Sequence, residues 1–342
     1  MVNAGIVGVT GFAGEQILEI LLRHHKVRIS ILCSHRDKAQ PIADFLPRFK
    51  KRLELVCYPL DAQAIANKAD LFFLALPHTV SMDVVPVLIR NKRRVIDLSA
   101  DYRLRDTRVY EKFYSHPHRD KIGLSLAVYG LPELNREKIK NAQLVANPGC
   151  YPTCAILALA PILSCCLDSF CLDTIIIDAK SGVTGAGRKV VEELLFTQVN
   201  EDFKAYKVNT HQHIPEIDQE LSKIAGKRIK TTFVPHLLPL NRGILETIYL
   251  KKDPAKRLKV ESLHKLYKNF YKTEPFVRIR PEGEFPRLRD VVGTNFCDLG
   301  IYEQKDLVII IGAIDNLLKG ASGQAVQNMN IMCGFTEEMG LR

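Results

Sequence analysis

Ala4-Gly5-Ile6-Val7-Gly8-Val9-Thr10-Gly11-Phe12-Ala13-Gly14 is the stretch on which the fold turns. Its apolar first half reads as a buried strand, and a periodic apolar run from Ile17 to Leu22 follows as a helix. Between them, glycines at 8, 11 and 14 give G-x-x-G-x-x-G, a variant of the dinucleotide-binding fingerprint. Small residues at these places let the backbone approach a pyrophosphate, which then rests over the helix N-terminus. Gly8, Thr10, Gly11, Phe12, Ala13 and Gly14 are therefore the candidate cofactor-binding turn.

The next strand, Val27 to Cys33, runs into Ser34-His35-Arg36. An NAD site usually presents an acidic residue there to the ribose 2′-hydroxyl, whereas a hydroxyl and a cation suit a 2′-phosphate. NADP is the expected cofactor, read by Ser34 and Arg36, with Asp37 keeping NAD open. Strand-like segments at Leu53–Cys57, Leu71–Leu76 and Val95–Leu98 alternate with helix-like ones, the pattern of a doubly wound parallel α/β sheet. Ala75-Leu76-Pro77-His78 and Ser99-Ala100-Asp101-Tyr102-Arg103 fall at carboxyl ends of strands, where such sheets bind ligands. Pro77 joins the cofactor candidates on that ground. Arg103 has the fork geometry for a phosphate or carboxylate, or for a surface ion pair with Asp101 or Asp106.

A second organising stretch is Asn147-Pro148-Gly149-Cys150-Tyr151-Pro152-Thr153, which joins the apolar run Leu144–Ala146 to a helix-like run beginning at Ala155. Pro152 marks a helix start, because a proline costs no hydrogen bond in the first turn. A thiol at a helix N-terminus meets the positive end of the dipole and unpaired amides, and both favour thiolate. A buried structural cysteine is the alternative that the turn alone leaves standing. A chain of 342 residues exceeds what one core serves, and the boundary is placed at this turn. The expected division is residues 1–149, a domain of residues 150–314, and a terminal segment 315–342 that returns to the first domain.

Downstream, the strand-like Thr174–Ala179 leads into the glycine-rich Lys180–Lys189, in which Gly187 precedes Arg188-Lys189. A Walker loop needs Gly-Lys followed by Ser or Thr, so ATPase chemistry is excluded. The loop suits an anion, or close backbone packing. His211-Gln212-His213-Ile214-Pro215-Glu216 opens a further helix. Histidines two apart do not share a helical face and no third ligand is near, which argues against a metal site. A histidine remote in sequence but near Cys150 in space would serve as base and then acid; a structural histidine is the alternative. Ile229–Val234, Ile244–Leu250 and Val308–Ile314 read as strands and Val260–Phe270 as an amphipathic helix, together a mixed sheet with helices on one face.

Composition excludes several classes. With 46% hydrophobic and 25% charged residues the chain is globular. The net charge of +10 is spread along the chain without a nucleic-acid-binding signature, so no nucleic acid is expected and anionic metabolites are. Nine cysteines at irregular spacing form neither a disulfide framework nor a zinc ribbon, which points to a reducing cytoplasm. The longest apolar stretch, Ala155–Leu167, contains Pro161 and is too short for a bilayer; a soluble protein is expected.

Taken together, these segments resemble the N-acetyl-γ-glutamyl-phosphate reductases of arginine biosynthesis over nearly the whole chain. The likeness rests on Gly8–Gly14, Leu98–Leu104, Tyr129–Glu133, Asn147–Thr153, Ser181–Arg188, His211–Ile217, Pro281–Gly283 and Ala313–Ala321. It implies a Rossmann-like first domain, an α+β mixed-sheet second domain for substrate and oligomerisation, and a homodimer or homotetramer. It implies NADPH-dependent reduction of an acyl phosphate to an aldehyde, with Cys150 as nucleophile and His211 as acid/base residue. Arg103, Asn147, His213 and Glu216 become the substrate contacts it suggests, and Ser181, Gly182 and Asn316 further cofactor contacts. Gln212 departs from the arginine usual between the two histidines.

A free thiol has a pKa of about 8.5, so a helix terminus and a nearby imidazolium are expected to raise the thiolate fraction. Amides at Gly149–Tyr151 are the expected oxyanion donors. The nearest rival is the sibling reductase acting on a carrier-protein-linked aminoadipyl phosphate in lysine biosynthesis. Aspartate-semialdehyde dehydrogenases place cysteine directly after asparagine, whereas Pro148-Gly149 intervene here. A nucleotide-binding redox sensor using Cys150 and Cys154 is the rival from another class.

Overall fold

The computed structural model describes residues 1–342 except Lys189, Arg257 and Lys259. Lys189, the last residue of the glycine-rich stretch read above, thus lies outside the described residues.

The chain forms two compact units, residues 1–148 with 321–342, and residues 149–320. The first is built on strands β1 (Val2–Val7), β2 (Val27–Ser34), β3 (Gln40–Pro41), β4 (Val56–Pro59), β5 (Leu71–Leu74), β6 (Arg94–Asp97), β7 (Ala127–Tyr129) and β8 (Leu144–Ala146). They lie in the order β3-β4-β2-β1-β5-β6-β8-β7. All pairs are parallel except β3 with β4. The chain winds outward from β1 in both directions, and the central strands are buried on both faces, which explains their unbroken apolar runs. The helix Gly323–Cys333 belongs to this unit and packs against the helices Phe12–Leu21 and Pro132–Lys140.

The second unit holds β9 (Ile176–Ser181), β10 (Lys204–Ala205), β11 (Thr232–Leu237), β12 (Ile244–Lys251), β13 (Val277–Ile279), β14 (Cys297–Glu303) and β15 (Leu307–Ile314). Their order is β10-β11-β9-β12-β15-β14-β13, with parallel and antiparallel pairs mixed. Along β12, Ile244, Glu246, Ile248 and Leu250 are buried while Leu245, Thr247 and Tyr249 are half-buried, so the helix Cys150–Cys165 covers one face only. At Gly312 a Cβ would sit 2.5 Å from Cys154 Sγ, so glycine is what allows helix and sheet to meet there.

That helix starts at Cys150, five residues before the expected Ala155, with Pro152 inside its first turn. Pro161 in its interior cannot bond the Leu157 carbonyl, and the Tyr271 hydroxyl donates to that oxygen instead at 2.5 Å. Tyr267 donates likewise to Ala158 at 2.5 Å. β14 is a strand the sequence did not announce, since Asp298 and Gly300 are poor strand formers. Its buried Asp298 is taken by the Arg278 guanidinium at 2.5 and 3.0 Å. The expected boundary at residue 315 moves to 320/321, because Asp315 and Asn316 hydrogen-bond into second-unit loops at Gly293, Gly243 and Thr184.

Candidate active site

The first unit carries the dinucleotide turn. Gly8 sits at φ +87°, and a Cβ there would lie 2.2 Å from the Ala75 carbonyl oxygen; at Gly14 it would lie 2.3 Å from the Gly8 oxygen. Both glycines are thus required by the fold, and only Gly11 has an open flank, with a single neighbour at 3.4 Å. The helix Phe12–Leu21 begins directly after Gly11, with no side-chain cap from Gly11, an N-terminus of the kind that suits a phosphate. Ser34 is the last residue of β2, one beyond the expected Cys33, and Arg36 lies in the loop that follows, its N–H donating to Ser34 Oγ at 3.3 Å. This cradle fits a nicotinamide dinucleotide.

At the ends of β6 and β8 the structure gives several candidates other tasks. Arg103 is buried and donates Nε to the Asn147 carbonyl (2.8 Å) and Nη2 to the Leu98 carbonyl (2.7 Å). Asn147, expected to touch substrate, is fully buried: its Nδ2 donates to the Ala321 carbonyl at 3.1 Å and its Oδ1 accepts from Asn328 at 3.1 Å. With both amide atoms engaged inside the unit, it is a framework residue. Asp97 accepts from Ser81 and Ser99 hydroxyls at 2.6 Å each, and burial pushes its carboxyl up to about 6. Asp101 accepts from the Thr79 amide (2.8 Å) and the Tyr110 hydroxyl (2.6 Å). His78 accepts at Nδ1 from the Ala100 amide (3.1 Å), and burial, with Arg103 adding, lowers it to about 4. Pro77 lies in the loop after β5, where its carbonyl accepts from Val80.

The second unit carries the thiol. Cys150 is the first residue of a sixteen-residue helix, partly accessible, with Gly149 as the uncapped extended residue before it. The Gly149 N–H donates to Glu216 Oε1 at 2.8 Å, from the first turn of the helix Ile214–Ala225. One expectation is corrected here: that amide is taken by Glu216 and offers nothing to an oxyanion, so Gly149 drops out of the expected donors. Behind the thiol, a Cβ on Gly320 would stand 2.8 Å from Cys150 Cβ. Asp315, fully buried, accepts from the amides of Leu317 (2.8 Å) and Leu318 (3.1 Å) and so holds the turn that presents Gly320.

His211 stands in an aromatic cage. The rings of Tyr151, Tyr206, Phe233 and His213 lie 5.4, 5.7, 5.5 and 4.9 Å away, and its Nδ1 accepts from the His213 amide at 3.1 Å. That bond leaves the proton of the neutral ring on Nε2. Burial, with Lys207 adding, lowers His211 to about 3, so the ring is neutral and the expected imidazolium is replaced by a neutral N–H donor. The Tyr151 and Tyr206 hydroxyls meet at 3.1 Å, and burial, with Cys150 adding, raises both. The side chain of Gln212 accepts from Lys207 Nζ at 3.1 Å, so a cation reaches this position from five residues upstream.

Three other candidates are tied into the framework. Ser181 is buried and donates to the Gly182 carbonyl (2.9 Å), while a Cβ on Gly182 would stand 2.8 Å from the Asn241–Arg242 backbone. Asn316 accepts from Gly243 N (2.8 Å) and donates to Thr184 Oγ1 (3.0 Å). Among the described residues no cluster of three His, Cys, Asp or Glu side chains could hold a metal ion, and no helix is long and apolar enough to cross a membrane. Asp315 and the Tyr151–Tyr206 pair escaped the sequence reading; only Asp315, in a run already singled out, carried a local signal.

Comparison with known proteins places this geometry. The semialdehyde dehydrogenase NAD-binding domain matches residues 3–142 and the semialdehyde dehydrogenase dimerisation domain residues 150–316. N-acetyl-gamma-glutamyl-phosphate reductase of Geotalea daltonii is 49% identical, and that of Geobacter metallireducens 50%, each over 100% of this chain and 98% of its own length. Among solved structures, aspartate semialdehyde dehydrogenase II complexed with ASA from Vibrio cholerae gives a TM-score of 0.72 at 17% identity over 98% of both chains. Aspartate semialdehyde dehydrogenase with NADP from Candida albicans gives 0.71 at 15% over 97% of this chain and 98% of its own. Identity that low speaks for the fold alone. On full-length identity near one half, the chain belongs to the N-acetyl-γ-glutamyl-phosphate reductases, α/β oxidoreductases of the semialdehyde dehydrogenase fold.

Proposed function

We propose that this chain reduces N-acetyl-L-glutamyl 5-phosphate to N-acetyl-L-glutamate 5-semialdehyde and phosphate, with NADPH as reductant, as a step of arginine biosynthesis. The observation that carries the catalytic reading is Cys150 at the first turn of a sixteen-residue helix, on a turn clamped by Glu216. The dipole at that helix start favours thiolate. Cys150 Sγ attacks the acyl carbon, the C–O bond to phosphate breaks, and a thioester forms. NADPH, when bound, supplies the hydride that reduces this thioester. Gly8, Thr10, Gly11, Phe12, Ala13 and Gly14 would hold its pyrophosphate, and Ser34 with Arg36 its 2′-phosphate. Cys150 then leaves the hemithioacetal as thiolate, releasing the aldehyde.

His211, neutral with its proton on Nε2, donates to the substrate carbonyl oxygen as negative charge develops there. The pattern lowers the cost of the oxyanion without a cation in the resting site. His213 and Glu216 flank the same segment, and Arg103 orients the backbone at the end of β8. The half-buried apolar face of the second sheet, together with the matched dimerisation domain, supports a homodimer or homotetramer.

The test is Cys150→Ala, with pre-steady-state trapping of the acyl-enzyme in the parent protein. Loss of reductase activity with NADPH binding retained is expected. Retained turnover refutes the thioester route, and faster turnover of a carrier-linked aminoadipyl phosphate refutes the substrate.

A further inference from the structure

Among the described residues sixteen large apolar side chains are exposed, and six of them fall between residues 190 and 208: Val190, Val191, Leu195, Phe196, Phe203 and Val208. Val190 is 83% exposed and Phe196 76%. Such a concentration in one excursion is more than the scattered apolar exposure of an ordinary surface, and it marks a contact site. Among the described residues, the backbone hydrogen bonds of 191–202 close on the segment itself, through Leu194, Leu195, Gln198, Val199, Asn200 and Asp202. Nothing in that ladder ties the excursion to the sheet until β10.

Two features identify what covers it. First, residues 190–203 contain Glu192, Glu193, Glu201 and Asp202 and no lysine or arginine, on a chain whose net charge is +10. An acidic, apolar arm complements a second copy of this basic protein. Second, the arm is continuous with the open face of the second sheet. The Phe203 ring lies 5.2 Å from that of His236 on β11, whose Nδ1 bonds the Ala179 carbonyl on β9 at 3.2 Å. That face belongs to the segment matched by the dimerisation domain.

We propose that the arm at residues 190–203 docks on a second copy of the chain, and that this contact sets the catalytic segment. The arm passes through β10 directly into Tyr206, whose hydroxyl meets Tyr151, then Lys207, bonded to Gln212, then His211. Docking therefore fixes the chain that carries the His211 cage, and the site reaches full activity only in the assembly. This rests on the homo-oligomer proposed above.

The experiment is sedimentation velocity over a dilution series, with reductase rate per protomer and NADPH affinity measured on the same samples. The proteins are the parent chain, Val190→Asp, Phe196→Asp, the milder Phe196→Ser, and Ile122→Asp as an exposed apolar control in the other unit (Ile122 is 76% exposed). An oligomeric parent is expected, with Val190→Asp and Phe196→Asp associating at least about tenfold more weakly, and losing activity as they dissociate. Phe196→Ser should fall between, Ile122→Asp should match the parent, and NADPH affinity should be unchanged throughout, which separates dissociation from misfolding. A monomeric parent at all concentrations overturns the homo-oligomer reading itself. An oligomeric parent whose arm variants keep its mass overturns the arm alone, and dissociation without loss of rate overturns the link to catalysis.

Discussion

Replacing Glu216 separates two roles for one carboxylate. Its Oε1 accepts from the Gly149 N–H at 2.8 Å, in a side chain only 1% exposed. A hydrogen bond to a charged partner contributes about 1.5–3 kcal/mol, and removing one side of it leaves a buried donor unmatched. Glu216→Ala should therefore cost about 2–3 kcal/mol, lowering the melting temperature of the unit 149–320 by roughly 5–10 °C. The loosened turn misplaces the thiol, and an error near 1 Å costs about a hundredfold in rate. Glu216→Gln keeps an acceptor of the same reach and loses only the charge assistance, about 1 kcal/mol. If the clamp is the main role, Gln retains kcat within about threefold of the parent while Ala loses one to two decades, roughly. The assay pairs thermal melts with kcat and KM for the acyl phosphate. A Gln variant that melts like the parent yet is as slow as Ala would refute the clamp and return Glu216 to direct substrate contact.

Burial of His211 gives a pH signature. Its pKa falls from 6.5 to about 3 on folding, so between those values the unfolded chain binds the proton and the folded chain does not. Stability therefore rises with pH through that window and is lost as pH falls, by up to about 4–5 kcal/mol. His211→Asn should flatten this acid limb in urea titrations from pH 7 to 4, and an unchanged limb would contradict the neutral ring. Arg36→Ala should raise KM for NADPH by about tenfold or more and leave NADH nearly unaffected; equal loss for both cofactors would dismiss the 2′-phosphate contact. Gly8→Ala places a Cβ 2.2 Å from the Ala75 oxygen at φ +87°, so NADPH binding by calorimetry should fall together with the melting temperature of the first unit.

Several features were legible along the chain because their causes are local. Glycine spacing, strand-to-helix punctuation and proline in a first turn are decided by neighbours a few residues away. They located the cofactor turn and the cysteine turn, although element ends moved: the strand expected at Leu53–Cys57 forms at Val56–Pro59, and that at Ile229–Val234 forms at Thr232–Leu237. β14 was hidden because its polar Asp298 is tolerated in a strand only when Arg278, twenty residues upstream, pairs with it.

The sequence by itself determined the doubly wound first unit, the thiol at a helix start and the family likeness. Tertiary structure alone decided the states of those groups. Glu216 reaches the Gly149 amide across 67 positions, Asn147 is locked by residues 321 and 328, and His211 is neutral because four rings from three chain segments exclude water. Chemical type is written residue by residue. Charge state and free valence are set by desolvation and by partners distant in sequence, which exist only once the chain has folded.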